Sequence, residues 1–363
     1  MTNYGLTIET LSPVHIGAGG PDLRRNIDFA IFNNILYLLN VDAVLEQILP
    51  ENPNDRLYQQ ILNTPDLGSF LTADLLSKHP ELYYYKLEGV SKLDTMRPVI
   101  KHWTHAPYIP GSSLKGALRS AWVRQHYQQR NLTLDIQQLS DKKERAFQTQ
   151  EARLLSPKAS RPSQAPNYDL FRAIQLSDSQ SAPDDALRLY NAVVFPAANQ
   201  GIPLDLEAIK PRVALQARIK FDDYILEKQA RQFGVHEQGF SVESLKQAWR
   251  EQGLVRIQQE LTFWTGRREG EHLQQFFSNL AQQANAAPDN CFYIDIGWGT
   301  GWKSKTLGDI IKTPQLVQLM RRYRLSRKEY REGDRFPKTR RAARDTKGAL
   351  RVPFGWVKVI MQP

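Results

Sequence analysis

The side chains able to do chemistry are few. The chain has seven histidines (His15, His79, His102, His105, His126, His236 and His272) and one cysteine, Cys291. His102-x-x-His105 has a spacing that would suit a metal on one helical face, but Pro107 and Pro110 predict an extended loop there. No third ligand stands at a recognisable spacing, so neither a metal site nor a cofactor is expected. His15 lies beside the Gly17–Gly20 turn, where an imidazole could act as general base on an RNA 2′-hydroxyl without metal. The plainer role for a histidine at a strand end is a structural hydrogen bond. No G-x-S-x-G sequence occurs, and a lone cysteine in an apolar strand makes a poor nucleophile.

Two further segments could bind phosphate. In the run Ile109-Pro110-Gly111-Ser112-Ser113-Leu114-Lys115-Gly116-Ala117-Leu118-Arg119, Pro110 to Ser113 open a helix whose first turns carry Lys115 and Arg119. Cations are disfavoured at a helix start unless an anion binds there, and Ser112, Lys115 and Arg119 fall on one predicted face. An ordinary Ser cap with solvated basic neighbours fits the same pattern. The second segment runs from Gly297 through Gly299 and Gly301 to Trp302-Lys303-Ser304-Lys305. It fits a P-loop only up to Trp302, which occupies the position of the required second glycine, so nucleotide hydrolysis is not expected. A flexible backbone with Trp302, Lys303 and Lys305 suits RNA, where bases stack on aromatic rings and cations follow the phosphates. A tight turn with its tryptophans in the core is the alternative.

The charge is unevenly placed. The 363 residues carry 48 Lys and Arg against 38 Asp and Glu, a net charge of +10. Lys303 to Arg351 holds 16 of the basic residues and five of the acidic ones, so this stretch alone is +11 and the rest of the chain is −1. Thr95 to Leu134 has six basic residues and no acid. Such clustering fits phosphate neutralisation better than an evenly solvated surface. One cysteine excludes a disulfide framework, and no signal peptide or membrane-length apolar run is read, so a cytoplasmic protein is expected.

The elements that must position these residues read as follows. Tyr4–Thr10 alternates as a strand, and Ile27–Leu39 forms two strands about an Asn33-Asn34 turn. Val41–Leu62 is helical, broken at Pro50 and Pro53, and Leu82–Leu87 is a strand. Ser112–Gln129 is the best helix, with Leu114, Ala117, Leu118, Ala121 and Trp122 on one stripe. Further strands are expected at Phe171–Leu176, Ala186–Phe195, Val213–Phe221, Cys291–Ile296 and Phe354–Met361, with helices over Asp223–Gln259 and Thr306–Tyr323. The polar stretch 137–167 reads as an exposed or disordered insertion between regions 1–136 and 168–363. Long, irregular connections favour an α+β fold over a doubly wound sheet.

Three motifs together resemble the RAMP superfamily of CRISPR effector proteins: Pro13-Val14-His15-Ile16-Gly17-Ala18-Gly19, Ile109 to Arg119, and the late Gly-rich loop. Phe171–Ser179, Phe336-Pro337-Lys338-Thr339-Arg340-Arg341 and Pro353-Phe354-Gly355-Trp356-Val357-Lys358 narrow the match. They look like the fifth-subunit family of type III-A (Csm) complexes, with Phe354 where a smaller aliphatic residue is expected. The resemblance implies a ferredoxin-like (RRM-type) core, either as two such modules or as one with large helical insertions, and a Gly-rich loop in the C-terminal part near the RNA path. It implies a non-catalytic subunit that caps the 3′ portion of the CRISPR RNA (crRNA), supports 3′-end maturation in antiviral defence and meets target RNA indirectly. Partners implied are the backbone RAMP subunit, the small helical subunit and host nucleases. RNA contacts are expected from His15, Gly111, Ser112, Ser113, Lys115, Arg119, Gly299, Gly301, Trp302, Lys303, Lys305, Lys338, Arg340 and Arg341. Two other readings remain. One is a repeat-cleaving endoribonuclease with His15 as base and Lys115 steadying the transition state. The other is a structural cap whose basic segments dock an acidic protein surface.

Overall fold

The computed structural model describes residues 2–363 except 64–65, 91, 143–145, 197–202, 312, 326–329, 332–333 and 335. Of the basic segment, Lys312, Arg327, Lys328 and Arg335 therefore lie outside the described residues, as does 143–145 of the polar stretch. The strands of the first third are β1 (Thr2–Thr10), β2 (Leu23–Arg24), β3 (Phe29–Phe32), β4 (Ile35–Leu39), β5 (Tyr83–Glu88) and β6 (Thr95–Met96). The middle adds β7 (Ile174–Leu176), β8 (Leu187–Phe195), β9 (Leu204–Ile209) and β10 (Ala214–Phe221). The last quarter adds β11 (Cys291–Asp295), β12 (Arg340–Arg344), β13 (Leu350–Pro353) and β14 (Trp356–Gln362).

A five-stranded antiparallel sheet, ordered β11-β14-β1-β10-β7, holds the centre. Strict alternation builds it: Leu6, Ile8 and Thr10 of β1 and Leu215, Ala217, Ile219 and Phe221 of β10 are buried, while their neighbours in sequence are not. Leu114, Leu118, Ala121 and Trp122 of the Gly111–Gln129 helix join that core, as do Leu245, Ala248 and Trp249 of the Val242–Trp264 helix. A second sheet, β13-β12-β8-β9, stands beside it. Between β1 and the Gly111–Gln129 helix lies a small lobe in which β3-β4-β5 and three short helices close a core around Leu39, Val44, Leu71 and Leu76. The architecture is mixed α+β.

The Asn33-Asn34 turn joins β3 to β4 as expected, with φ of 52° and 61° at the two asparagines. Other expectations change. Residues 171–173 form a 3₁₀ turn capped by Asp169, which shortens β7 to three residues. The helix expected from Thr306 starts at Thr313, where Pro314 in the first turn fixes its beginning. The 137–167 stretch is not a solvated loop throughout: it contains the helix Gln148–Leu155, and Ala146, Phe147, Leu154 and Leu155 join the main core. Its few apolar residues come in pairs that face inward together, a pattern that average polarity conceals.

Candidate nucleic-acid interface

Three segments distant in sequence meet at one cleft of about 610 Å³. They are His15 to Gly20, the first turns of the Gly111–Gln129 helix (Ser112, Ser113, Gly116, Ala117 and Ser120), and the loop after β11 from Asp295 to Lys305. Backbone bonds hold the two Gly-rich segments together: Trp298 N–H donates to the His15 carbonyl (2.8 Å), and Gly355 N–H donates to that of Pro13 (2.8 Å). Gly297 is required at this seam. It sits at φ 72°, and a Cβ there would lie 2.4 Å from the His15 carbonyl oxygen. A small recess of about 190 Å³ shares Thr300 with the cleft and is lined by Gly299, Gly301, Trp302, Lys303, Pro337, Arg340 and Arg341 among others.

The ends of the late loop are clamped by buried charge. Arg256 donates to Ser304 Oγ (2.9 Å), Glu260 (2.9 Å) and Asp295 (3.4 Å), and Ser304 also hydrogen-bonds Asp295. Arg340 grips both Glu260 oxygens, at 2.8 and 2.7 Å, with its guanidinium 4.2 Å from the Phe263 ring. Arg124 donates to the carbonyls of Lys303 and Thr306, both at 2.6 Å, which ties the Gly111–Gln129 helix to the same loop. In the sequence Arg124 stands out only as one of the six basic residues of Thr95 to Leu134, expected to neutralise phosphate, and Arg256 and Asp295 do not stand out at all. They are charged residues of ordinary appearance, and only their burial distinguishes them.

The expected contact residues divide into two groups. Ser112, Ser113 and Lys305 line the cleft. Arg341 covers the Trp298 ring at 4.6 Å on the recess side, and neither Lys305 nor Arg341 forms an ion pair among the described residues. Partial desolvation, then repulsion by a nearby cation, lowers both: Arg341 acts on Lys305, which Asp295 pulls the other way, and Arg97 acts on Arg341. Asp295, the acid that acts on Lys305, is already held by Arg256 and Ser304, so Lys305 and Arg341 leave a positive potential that an anion would relieve.

Gly299, Gly301 and Lys303 line the recess, and several of the others make contacts within the protein. Lys115 donates to the Ile174 carbonyl (2.7 Å), and burial holds its ammonium below the usual value. Arg119 pairs with Asp169 at 2.7 Å. The three positions lie along one side of the helix, but Lys115 and Arg119 are bonded to β7 and Asp169, and of the three Ser112 alone lines the cleft. The anion expected at the helix start is the protein's own: Gly111 N–H donates to Asp178 Oδ1 at 2.8 Å. Lys338 is exposed and pairs with Asp334 at 3.2 Å. Trp302 packs edge-on against Phe336, with Gly308 beneath its indole nitrogen, so its ring is half-buried. Phe354 is buried beneath Gly299 and edge-on to Trp298, so its extra bulk forms the floor of the late loop.

His15 is fully buried. Its Nδ1 donates to the Glu207 carbonyl at 2.6 Å, while Nε2 has no partner and no exposure. Burial lowers its pKa below the ordinary imidazole value, outweighing the Glu207 carbonyl. His102 stacks on Tyr108 and His105 on Tyr84, so each ring of that pair is spent on an aromatic neighbour. Among the described residues, no group of three or more His, Cys, Asp and Glu could hold a metal.

Residues 7–303, more than four fifths of the chain, match the RAMP superfamily. The chain belongs to the RAMP superfamily. Within it, the chain is similar to the CRISPR system Cms protein Csm5 of Mycobacterium tuberculosis strains CDC 1551 and H37Rv, 23% identical to each over 259 residues. That alignment covers 60% of this chain and 66% of those relatives. Two solved structures share the fold. One is a chain in a cryo-EM structure of a type III-A Csm–crRNA–target RNA ternary complex, with TM-score 0.69 and 22% identity over 99% of this chain and 100% of that one. The other is the crystal structure of T. onnurineus Csm5, with TM-score 0.64 and 20% identity over 98% and 99% of the two chains. The three segments that meet at the cleft overlap the three sequence motifs noted above as resembling that superfamily. No helix among the described residues is long and apolar enough to cross a membrane.

Proposed function

We propose that this RAMP protein is a non-catalytic RNA-binding subunit of a type III CRISPR effector ribonucleoprotein, seated on the 3′ portion of the crRNA. The convergence of the His15–Gly20 turn, the start of the Gly111–Gln129 helix and the Asp295–Lys305 loop on one cleft carries the reading: Lys305 lines that cleft and Arg341 the recess that joins it at Thr300, and neither forms an ion pair among the described residues. The likeness to a chain of a Csm–crRNA–target RNA complex supports it. In this reading the five-stranded sheet with its packed helices is the ferredoxin-like core, and backbone RAMP and small helical subunits are the neighbours. Arg341, Lys305 and the hydroxyls of Ser112 and Ser113 track phosphates. Lys115, Arg119 and Arg340 hold the walls that place them.

The structure weighs against His15 as a general base. A ring without solvent access, with Nδ1 committed to Glu207, cannot reach a 2′-hydroxyl unless the cleft floor opens. The test is to purify the tagged protein from its native host and sequence the RNA and proteins that accompany it. Spacer-containing small RNAs with a shared 5′ repeat tag, together with other Csm-type subunits, are expected. Recovery of the protein free of RNA and of such subunits would overturn the proposal.

A further inference from the structure

Trp103 is 91% exposed, the most exposed of the large apolar side chains among the described residues, and nothing in the cleft accounts for it. It stands at the tip of a tight hairpin closed by the Lys101–Pro107 bridge, with His102 N–H donating to the Ala106 carbonyl at 3.0 Å. The hairpin is held in place. Lys101 reaches the fully buried Glu207, which also accepts from Tyr85 and from Val99 N–H. His105, at φ 62°, stacks on Tyr84 with centroids 3.8 Å apart, and His102 stacks on Tyr108 at 4.1 Å. A buried carboxylate with three hydrogen-bond donors and two stacked ring pairs are a costly way to display one tryptophan unless its position matters.

Both legs of the hairpin run into the walls of the cleft. On one side Val99 pairs with Gly17, Ile100 N–H donates to the Ile16 carbonyl, and Arg97 and Pro98 line the cleft. On the other, Pro107 leads within a few residues to Ser112 and Ser113. Trp103 is at most about 17 Å along the chain from Pro98.

We infer that Trp103 is a stacking platform for an unpaired RNA base at the rim of the cleft. This rests on the RNA-binding reading above and adds to it a base contact where that reading has only phosphate contacts. The surroundings favour a base over an apolar protein pocket. The other exposed side chains of the hairpin and of β5 are Thr104, Tyr84, Lys86 and Glu88, and no exposed aliphatic residue among them would seal a protein contact around the indole. A base needs only one face of a ring and a polar surround.

The experiment uses the full chain and a fluorescein-labelled oligouridylate, with an oligomer of the same length carrying abasic sugars as control. The Trp103 side chain is free of internal packing, so Trp103→Ala keeps the fold. The expected result is binding weakened roughly 5- to 150-fold in Trp103→Ala, largely retained in Trp103→Phe, with an unchanged slope against salt because no phosphate contact is lost. The abasic oligomer should bind wild type and Trp103→Ala alike. Equal affinity of wild type and Trp103→Ala for oligouridylate overturns the inference and leaves the RNA-binding reading standing. Failure of the wild type to bind either oligomer overturns that reading and this inference with it.

Discussion

At the scale of single residues, a basic side chain near the site can do one of two jobs, and partnership separates them. Lys305 and Arg341 have no acid partner among the described residues, whereas Arg340 is bound to Glu260 within the protein. Lys305→Ala with Arg341→Ala should therefore lower RNA affinity and flatten the plot of log affinity against log salt by about 0.7 for each phosphate contact removed, while the unfolding midpoint stays put. Arg340→Ala should do the reverse, costing about 1 to 3 kcal/mol of stability because a nearly buried carboxylate loses one of its two arginine partners and keeps only Arg256. Titrations at several salt concentrations beside urea melts would check both, and an unmoved slope in the double variant would refute the contact assignment. Acid sensitivity has a residue-scale origin too. Burial is the first cause that lowers His15, His105 and His126, so as pH falls the unfolded chain takes up protons before the folded one. Stability is then full above about pH 6.5 and declines below it, by at most about 1.4 kcal/mol per pH unit for each histidine. Glu151 and Asp205, raised by burial, act in the opposite sense in the more acid range, so the window to measure is about pH 7.5 to 6. Asparagine at position 15 can keep the hydrogen bond to Glu207, and His15→Asn should remove its share of the slope. A slope identical to wild type would show that His15 is not buried in its neutral form.

Elements were legible where their pattern depended on local chemistry and illegible where long-range pairing overrode it. Gly253 shows the difference. In sequence it resembles a break in the helix, yet Val242–Trp264 runs straight through it. A Cβ at position 253 would lie 2.0 Å from the Tyr293 carbonyl oxygen, so the glycine lets the helix seat against β11, the strand that delivers the cleft loop. Gly253→Ala should raise helix propensity by about 1 kcal/mol. The clash with backbone reverses the sign, and a net loss of about 2 kcal/mol is expected in urea unfolding. A stabilised variant would mean that the helix does not sit where it is described. The same limit explains the missed strands. In β9, Asp205 and Glu207 suggest exposure, but Asn191 bonds the first while Lys101 pairs with the second and Tyr85 donates to it, so most of the strand is buried. The sequence of β12, Arg340 to Arg344, reads as a basic tail, but it pairs on both sides, with β8 and β13. The helix Glu271–Asn285, by contrast, carries Leu273, Phe277, Leu280 and Ala284 at helical spacing and lay open to the periodicity test that found Gly111–Gln129. For the candidate site, the three glycine-bearing segments were legible because glycine marks backbone geometry. Which cations were free was not, since that depends on acids remote in sequence.

At the scale of the whole molecule, the two chain ends are neighbours in the central sheet. β1 pairs along eight positions with β10 and along six with β14, so residue 5 lies opposite residue 362. The strands on the two sides of the 137–167 stretch thus build one sheet, and the cleft opens at their seam, where Trp298 meets His15 and Gly355 meets Pro13. A fragment of residues 168–363 would leave β10 and β14 as unpaired edges around the gap of β1, with Leu215, Ile219, Val357 and Val359 no longer covered by Leu6 and Ile8. That fragment should aggregate or lack a cooperative melt and should bind no RNA, even though it retains Lys305, Arg341 and the entire late Gly-rich loop. Adding residues 1–167 during refolding should restore a soluble one-to-one complex, and RNA binding should return only with it, because the phosphate-facing groups acquire their geometry from the opposite side of the seam. Size-exclusion chromatography and protease resistance would follow assembly, and the oligouridylate titration would follow function. A cooperative, RNA-binding 168–363 fragment would refute this account and locate the site within the C-terminal half alone.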